Sequence, residues 1–247
     1  MESSGSFLYG KGVFTTIPVV AGRPFEFERH WARLKRNAYA ISLNTSAQSE
    51  EAVLAELSSK LAQNGIADGR ARITLFDNSP HAIWAEGSRA ETCVSILVGN
   101  RRPVTDDFRL AVSPYPVNSR SPLAGIKSCN YLEPLISLNE AQGRGFQEAV
   151  RVNELGQVTG GCMANIFWLT DGELFTPSLA TGCLAGTTRE YLLERLECET
   201  VDAQIDALDR ADAIFLTSAG LGVVQVAEID GRQLSKVDHP IQNLLPY

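Results

Sequence analysis

A proline-rich segment near the middle of the chain, SPYPVNSRSPLAG at 113–125, is the feature that most restricts how this sequence can fold. Each of its prolines lacks a backbone N–H and disfavours helix in the residue before it, so neither a long helix nor a central strand can run through the segment. The sequence therefore predicts an N-terminal lobe at 1–113 and a C-terminal lobe at 126–247, joined by a linker at 114–125. A chain of 247 residues is long enough for each lobe to bury a core.

The N-terminal half alternates strand-like and helical patterns, which predicts an α+β lobe. The predicted strands are GVFTTIPVV at 12–20, RITLF at 72–76, CVSILVG at 93–99 and FRLAVS at 108–113. Apolar residues at helical spacing predict two helices, one with Trp31, Leu34, Ala38 and Ile41 on one face and one with Val53, Leu54, Leu57 and Leu61. Ser49 is the expected N-cap of the second helix, and Asn64-Gly65 is its expected end.

The C-terminal half also mixes helices and strands. Two helices are predicted, YLEPLISLNEAQ at 131–142 and TTREYLLERL at 187–196. The predicted strands are EAVRVN at 148–153, ANIFWLT at 164–170, ELFTP at 173–177, AIFLTS at 213–218 and VVQVAEI at 223–229. Asp171-Gly172 predicts a tight turn between the second and third of these strands. The whole chain is therefore expected to belong to the α+β class.

Composition and charge narrow the kind of partner. The net charge is −7 and no block of Lys and Arg exceeds two residues, which argues against a nucleic-acid surface or a polybasic membrane patch. No apolar run approaches the roughly 18 residues of a membrane span, and the start MESSGSFLYGKGVF does not resemble a signal peptide, so a cytoplasmic protein is expected. Five widely spaced cysteines and three distant histidines, His30, His81 and His239, predict no metal site. A small molecule is the expected partner.

Five motifs follow one another along the chain: YGKGVFTT, FERHWARLKRNA, LAGIKSCNYL, VNELGQVTGGCMANIFWL and GCLAGTTREYLLE. In these motifs and in their order the sequence resembles the class IV, fold-type IV, family of pyridoxal-phosphate enzymes. That family includes branched-chain and D-amino-acid aminotransferases and aminodeoxychorismate lyase. The resemblance covers nearly the whole chain. It implies a smaller N-terminal α/β lobe and a larger C-terminal lobe of mixed β-structure and helices, pyridoxal 5'-phosphate as cofactor, an amino substrate and a homodimer.

A lone lysine, Lys127, stands in the low-charge stretch LAGIKSCN. Lysine is the amine that forms Schiff bases with carbonyl cofactors, and desolvation makes it reactive by lowering its pKa. The resemblance implies that Lys127 is the Schiff-base lysine and the catalytic residue. It also implies that Arg33 binds the cofactor phosphate, for which a guanidinium fork is suited. The alternative for Arg33 is a place on the solvated face of its helix.

Two further polar segments match family loops beside the cofactor. Thr187 and Thr188 precede a helical pattern, where free amides and hydroxyls can bind a phosphate. They are also suited to cap the helix, and the two roles are compatible. Thr217 and Ser218, in AIFLTSAGLG, match a second loop, with an ordinary polar turn as the alternative.

One position departs from the family pattern. In most of the family a glutamate of the hairpin motif pairs with the pyridine nitrogen and keeps it protonated. Here VTGGCMANIF places Gly160 at that position, and a partly buried nitrogen without a carboxylate tends to lose its proton. Glu133, Glu154 and Glu190 are candidates to replace the missing acid. A glycine here also permits a bulge or a close approach of the strand to the cofactor.

Three functions are compatible with these features. A lyase resembling aminodeoxychorismate lyase, which removes pyruvate from aminodeoxychorismate to give 4-aminobenzoate, is favoured by the FTT, LAGIK and ANIFW motifs and by a chain shorter than many aminotransferases of the class. The alternative is an aminotransferase for branched-chain, aromatic or D-amino acids, against which Gly160 counts most. The second alternative is a catalytically impaired or repurposed homologue.

Overall fold

The computed structural model describes residues 4–79, 91–101 and 103–247, and His81 lies outside these ranges. Contacts divide the chain into two units. The first consists of Met1–Arg101, Ile126–Tyr131 and Tyr247, and the second consists of Arg102–Gly125 and Leu132–Pro246. Of the helices in the described ranges, none combines the length and the apolar character that crossing a bilayer requires.

The first unit is built on an antiparallel sheet. Its strands are β1 (Gly12–Val20), β2 (Arg23–Pro24), β3 (Gly69–Asp77) and β4 (Thr92–Asn100). Within the described residues they form one sheet in the order β2-β1-β3-β4. The helices of this unit are α1 (Gly5–Tyr9), α2 (Phe27–Ala40) and α3 (Glu50–Gln63).

Helices α2 and α3 carry the predicted apolar faces. The buried members are Trp31, Leu34 and Ala38 on α2 and Val53, Leu57 and Leu61 on α3, while Ile41 and Leu54 are partly buried against the same core. Ser49 caps α3 by accepting a hydrogen bond from the Ala52 amide, and α3 ends at the C-cap Asn64, as predicted. Leu34 is fully buried, so its truncation to alanine is expected to cost about 2–5 kcal/mol.

The second unit contains two sheets within the described residues. One is formed by β5 (Arg109–Val112), β6 (Glu148–Val152), β7 (Val158–Gly161), β13 (Glu228–Ile229) and β14 (Arg232–Gln233), in the order β14-β13-β5-β6-β7. The other is formed by β8 (Asn165–Thr170), β9 (Glu173–Pro177), β10 (Glu199–Val201), β11 (Ala213–Ser218) and β12 (Gly222–Gln225), in the order β10-β9-β8-β11-β12. The α-helices are α4 (Leu132–Gly143) and α5 (Thr187–Leu193), and short 3-10 helices lie at Leu179–Thr181, Ile205–Ala207 and Pro240–Asn243.

The predicted elements of the second unit are confirmed with differences at residues 223–229, at α5 and at β7, and the short strands β10 and β14 were also not predicted. The run at 223–229 is divided, because β12 pairs with β11 whereas β13 pairs with β5 in the other sheet. Helix α5 ends at Leu193, three residues before the predicted end. Strand β7 was not predicted, since its two glycines have low strand propensity and only the ladder with β6 makes the segment a strand.

The units and the predicted lobes differ at two segments. Strand β5 belongs to the second unit, because it pairs in parallel with β6. Residues 126–131 belong to the first unit, because the Phe14 amide donates to the Lys127 carbonyl at 2.9 Å and the Cys129 amide donates to the Gly12 carbonyl at 2.8 Å. Backbone hydrogen bonds between strands thus decide to which unit each segment belongs, and the composition of the segments does not reveal these bonds.

Candidate active site

Lys127 is held on the first unit by its own backbone and by two aromatic rings. Its carbonyl accepts from Phe14 of β1, which fixes where the side chain begins. Its Nζ lies 3.2 Å from the Tyr131 hydroxyl, 4.6 Å from the centre of the Phe14 ring and 4.9 Å from that of the Tyr131 ring. The two rings pack edge to face, with centroids 5.1 Å apart. The amine therefore has a defined position.

The electrostatic surroundings of Lys127 disfavour its charged form. Burial, followed by the positive charges of Arg33 and Arg72, lowers its pKa from the usual 10.5 to about 7. Arg72 is itself fixed, with its guanidinium carbon 3.6 Å from the centre of the Phe14 ring and its Nε donating to Thr74 at 3.2 Å. Near neutral pH a large fraction of the amine is thus unprotonated and nucleophilic, as carbonyl chemistry requires.

Arg33, on α2, is part of a buried hydrogen-bonded chain. Its Nη2 donates to the Thr15 hydroxyl at 2.9 Å, and the same oxygen lies 2.8 Å from Nδ1 of His30. All three residues are buried, which contradicts the alternative that Arg33 sits on a solvated helix face. Burial, followed by the charges of Arg33, Lys127 and Arg29, lowers the pKa of His30 well below 6.5 and keeps its ring neutral. Because a guanidinium only donates, Thr15 accepts from Arg33 and its own hydrogen is available for His30.

In the second unit, Asn165 connects three of the predicted segments. Its side-chain amide donates to the Leu184 carbonyl at 2.8 Å, and a Cβ on Gly186, the N-cap of α5, would clash with its side chain. It pairs across the ladder with Thr217 of β11. A Cβ on Gly160 would lie 3.9 Å from the Asn165 Cα. The entrance of α5, the end of β11 and the Gly160 strand therefore meet at the start of β8.

The hydroxyl residues around Asn165 have different partners. Thr187 and Thr188 are both buried in the first turn of α5. Thr217 is fully buried, and its hydroxyl has no hydrogen-bond partner among the residues that the structure describes. Ser218 uses its hydroxyl in its own turn, accepting from the amides of Gly220 and Leu221. A buried hydroxyl without a hydrogen-bond partner is costly, so Thr217 is a candidate to bind a ligand through its hydroxyl.

Gly160 lies in β7 in a conformation that favours glycine. Its φ is +155°, and a Cβ there would lie 3.1 Å from the Ala164 carbonyl oxygen. The ladder of β6 and β7 is irregular between Arg151 and Val152, so the expected bulge lies at this hairpin.

The acids considered as replacements for a carboxylate at 160 have other partners. Glu154 accepts from the amide and hydroxyl of Ser119, each at 2.8 Å. Glu133 forms an ion pair with Arg151. Another acid, Glu148, is buried and accepts from the amides of Cys162 and Met163 at 2.9 and 3.0 Å. Burial raises the pKa of Glu148, and this effect outweighs the hydrogen bonds, which by themselves would lower it.

Four residues of this site, Thr15, His30, Tyr131 and Asn165, were not predicted, although all four lie in or beside the motifs. Thr15 lies in GVFTT, His30 stands three residues before Arg33 in FERHWARL, and Tyr131 stands four residues after Lys127. Asn165 ends GGCMAN. Each of these residues lies inside one of the five motifs, and that position in a motif was the available signal. In the described ranges no three His, Cys, Asp or Glu side chains form a group able to hold a metal ion.

Comparison with known proteins decides the family. The family model described as amino-transferase class IV matches residues 12–229. The chain belongs to this family. A class IV chain with this match is an enzyme, and its fold is the predicted α+β fold of type IV.

Relatives within the class IV family include lyases and aminotransferases. The aminodeoxychorismate lyase of Bacillus subtilis is 29% identical over 91% of this chain and 79% of its own length. A putative 4-amino-4-deoxychorismate lyase structure from Legionella pneumophila superposes with a TM-score of 0.89 at 26% identity, over 98% of this chain and 90% of that one. A branched-chain aminotransferase from Thermoproteus uzoniensis, solved with norvaline, also has a TM-score of 0.89 at 26% identity, over 99% and 86%.

Proposed function

We propose that this class IV enzyme binds pyridoxal 5'-phosphate through Lys127 and removes pyruvate from aminodeoxychorismate to give 4-aminobenzoate. The observation that carries the cofactor assignment is the Lys127 amine, whose pKa is lowered to about 7 next to a tyrosine hydroxyl. A solved branched-chain aminotransferase that contains pyridoxamine 5'-phosphate has the same fold, with a TM-score of 0.84 at 22% identity over 99% of this chain and 85% of that one.

The residues of this chain fit such a cofactor. The fully buried Thr217 hydroxyl lacks a partner among the described residues and can donate to a phosphate or ring oxygen. The hydrogen bond to Thr15 fixes the Arg33 guanidinium, so this group is oriented in advance for an anion such as a phosphate. We propose that Arg33, Thr187, Thr188, Thr217 and Ser218 bind the cofactor, the first three at its phosphate.

When bound, the cofactor supplies an electron sink for bonds at the substrate Cα. Lys127 Nζ would take the proton from the substrate carbon that bears the amino group, for which an amine with a pKa near neutrality is suited. The Tyr131 hydroxyl, 3.2 Å away, orients this nitrogen by hydrogen bonding. The neutral His30 orients the Thr15 hydroxyl and, through it, Arg33.

Gly160 favours the lyase over the aminotransferase alternative. Without a carboxylate at position 160, the chain would hold the cofactor ring as a weaker electron sink and would disfavour reactions that depend most on that sink. Elimination from aminodeoxychorismate gains driving force from the aromatic product and depends less on the ring. Transamination has no such compensation.

The test is to incubate the holoprotein with aminodeoxychorismate and, separately, with pairs of amino and keto acids, and to analyse the products. Pyruvate and 4-aminobenzoate together are the expected products, and Lys127→Ala is expected to abolish them. Lys35→Ala, on the exposed face of α2, is the matched control and should retain activity. An exchanged amino group without elimination would select the aminotransferase. No product with any substrate, from a protein whose borohydride-reduced adduct maps to Lys127, would select the impaired homologue.

We also propose that the enzyme is a cytoplasmic homodimer without nucleic-acid or membrane partners. The net charge of −7 and the lack of long basic blocks support the absence of polyanionic partners. Light scattering of the purified holoprotein measures the mass directly, and a monomer at micromolar concentration would contradict the dimer.

A further inference from the structure

The residue directly opposite Gly160 on the neighbouring strand is a buried arginine. Arg151 of β6 pairs with Gly160 of β7 in the antiparallel ladder. Side chains of directly opposed residues project from the same face, with Cβ atoms roughly 5 Å apart. Since position 160 carries no side chain, Arg151 is the nearest ladder neighbour that can fill the place of a carboxylate there.

Strand periodicity separates Arg151 from Glu148, the other buried charge of β6. Residues three apart on a strand project from opposite faces. Accordingly, Glu148 approaches Gly161, whose added Cβ would lie 3.4 Å from the glutamate carboxyl carbon. The Glu148 side chain therefore lies on the face of the sheet that Gly161 occupies, next to the 162–163 turn. The Arg151 side chain lies on the opposite face, which is that of Gly160.

The Arg151 guanidinium is incompletely paired. Its side chain is 7% exposed, and its Nη2 donates to the carboxylate of Glu133, which is 62% exposed. Its Nε is buried and has no hydrogen-bond partner among the residues that the structure describes. An N–H of a buried cation without an acceptor is costly, so an acceptor that reaches this Nε would stabilise Arg151.

We propose that Arg151 takes the place of the missing acid and donates an N–H hydrogen bond to the unprotonated pyridine nitrogen of the cofactor. A guanidinium has only donors, so its partner must offer a lone pair, which the pyridine nitrogen has only when unprotonated. Its permanent positive charge also disfavours a second cation beside it. Glu133 orients the guanidinium and balances part of its charge.

This inference rests on the proposed function, in that it requires pyridoxal phosphate with its ring nitrogen at Gly160. Under this proposal, Arg151 itself keeps the cofactor ring a weak electron sink. The weak sink is then an effect of a residue that is present and does not follow only from the absence of a glutamate. An arginine-bound nitrogen stays unprotonated, whereas a vacant position would leave it to titrate with the solvent.

The experiment is nitrogen NMR of the holoprotein reconstituted with cofactor labelled with 15N at the ring nitrogen. The wild-type resonance is expected at the unprotonated position, unchanged between pH 6 and pH 8.5. In Arg151→Leu the resonance should shift through loss of the hydrogen bond, and the Kd of the cofactor should rise roughly 10- to 150-fold. Arg210→Leu, at a side chain that is 70% exposed, is the matched control and should change neither quantity.

Two further variants guard against a merely structural role. Arg151→Lys retains a buried cation and should keep the nitrogen unprotonated with a displaced resonance, while Glu133→Gln retains the arginine and should leave the nitrogen unprotonated. A protonated wild-type nitrogen would overturn the proposal, as would Arg151→Lys and Arg151→Leu resonances identical to the wild type. A wild-type protein that binds no cofactor would instead refute the proposed function on which the proposal rests.

Discussion

Replacing Lys127 by methionine is predicted to stabilise the cofactor-free protein at neutral and acidic pH. Methionine has a similar length and no charge, so it fills the space between Phe14 and Tyr131 without the cost of burying an ammonium group. The residue that we propose as catalytic is thus expected to reduce the stability of the fold that contains it.

The magnitude follows from the pKa of Lys127, which falls from 10.5 to about 7. Below pH 7 the amine is protonated in both the folded and the unfolded chain, and the full cost opposes folding. As the pH rises from 7 to 10.5 only the unfolded chain keeps the proton, so the cost declines and then vanishes. The difference sets an upper bound of about 5 kcal/mol. The Lys127 side chain is partly exposed and lies against two aromatic rings, and both features reduce this cost. We therefore expect Lys127→Met to raise the free energy of unfolding by about 2–4 kcal/mol.

The assay is urea unfolding of the cofactor-free protein at pH 6.5 and pH 10. Lys127→Met should raise the free energy of unfolding at pH 6.5, and the gain should shrink to less than about 1 kcal/mol at pH 10. Lys35→Met, at an exposed position on α2, should change it by no more than about 0.5 kcal/mol at either pH. A gain equal at both pH values, or a loss at pH 6.5, would refute the assignment of a buried, charge-disfavouring site to Lys127.

Three further substitutions test the surrounding structure by denaturant unfolding. Thr15→Val removes the hydroxyl between a buried arginine and a buried histidine and should lower the free energy of unfolding by about 1–3 kcal/mol. Thr15→Ser keeps the hydroxyl and should retain most of this stability. Equal losses in the two variants would contradict the hydrogen-bonded chain. Gly160→Ala, at φ +155° and against a carbonyl, should cost about 1–3 kcal/mol, while Gly99→Ala, with open space around it, should cost less. Glu148→Ala leaves two turn amides without their acceptor and should cost about 1–3 kcal/mol; an unchanged midpoint would show that water replaces the carboxylate.

Local signals in the sequence predicted most of the elements correctly. Ser49 caps α3 as expected, and the Asp171-Gly172 turn between β8 and β9 has φ values of +52° and +82°. Such features depend on a few neighbouring residues and their backbone preferences, so a single sequence contains them. The division of 223–229 between two sheets depends on which strands are adjacent, which neighbouring residues do not specify.

The sequence by itself determined the family, the α+β class and a set of candidate site residues, because these follow from motif order, periodicity and residue chemistry. Tertiary structure decided the environment of those residues. It buried Arg33 behind Thr15, and it lowered the pKa of Lys127 through burial and through the charges of Arg33 and Arg72. It also set Arg151 opposite Gly160 across a ladder. Desolvation and charge proximity depend on side chains far apart in sequence, so only the folded chain brings them into effect.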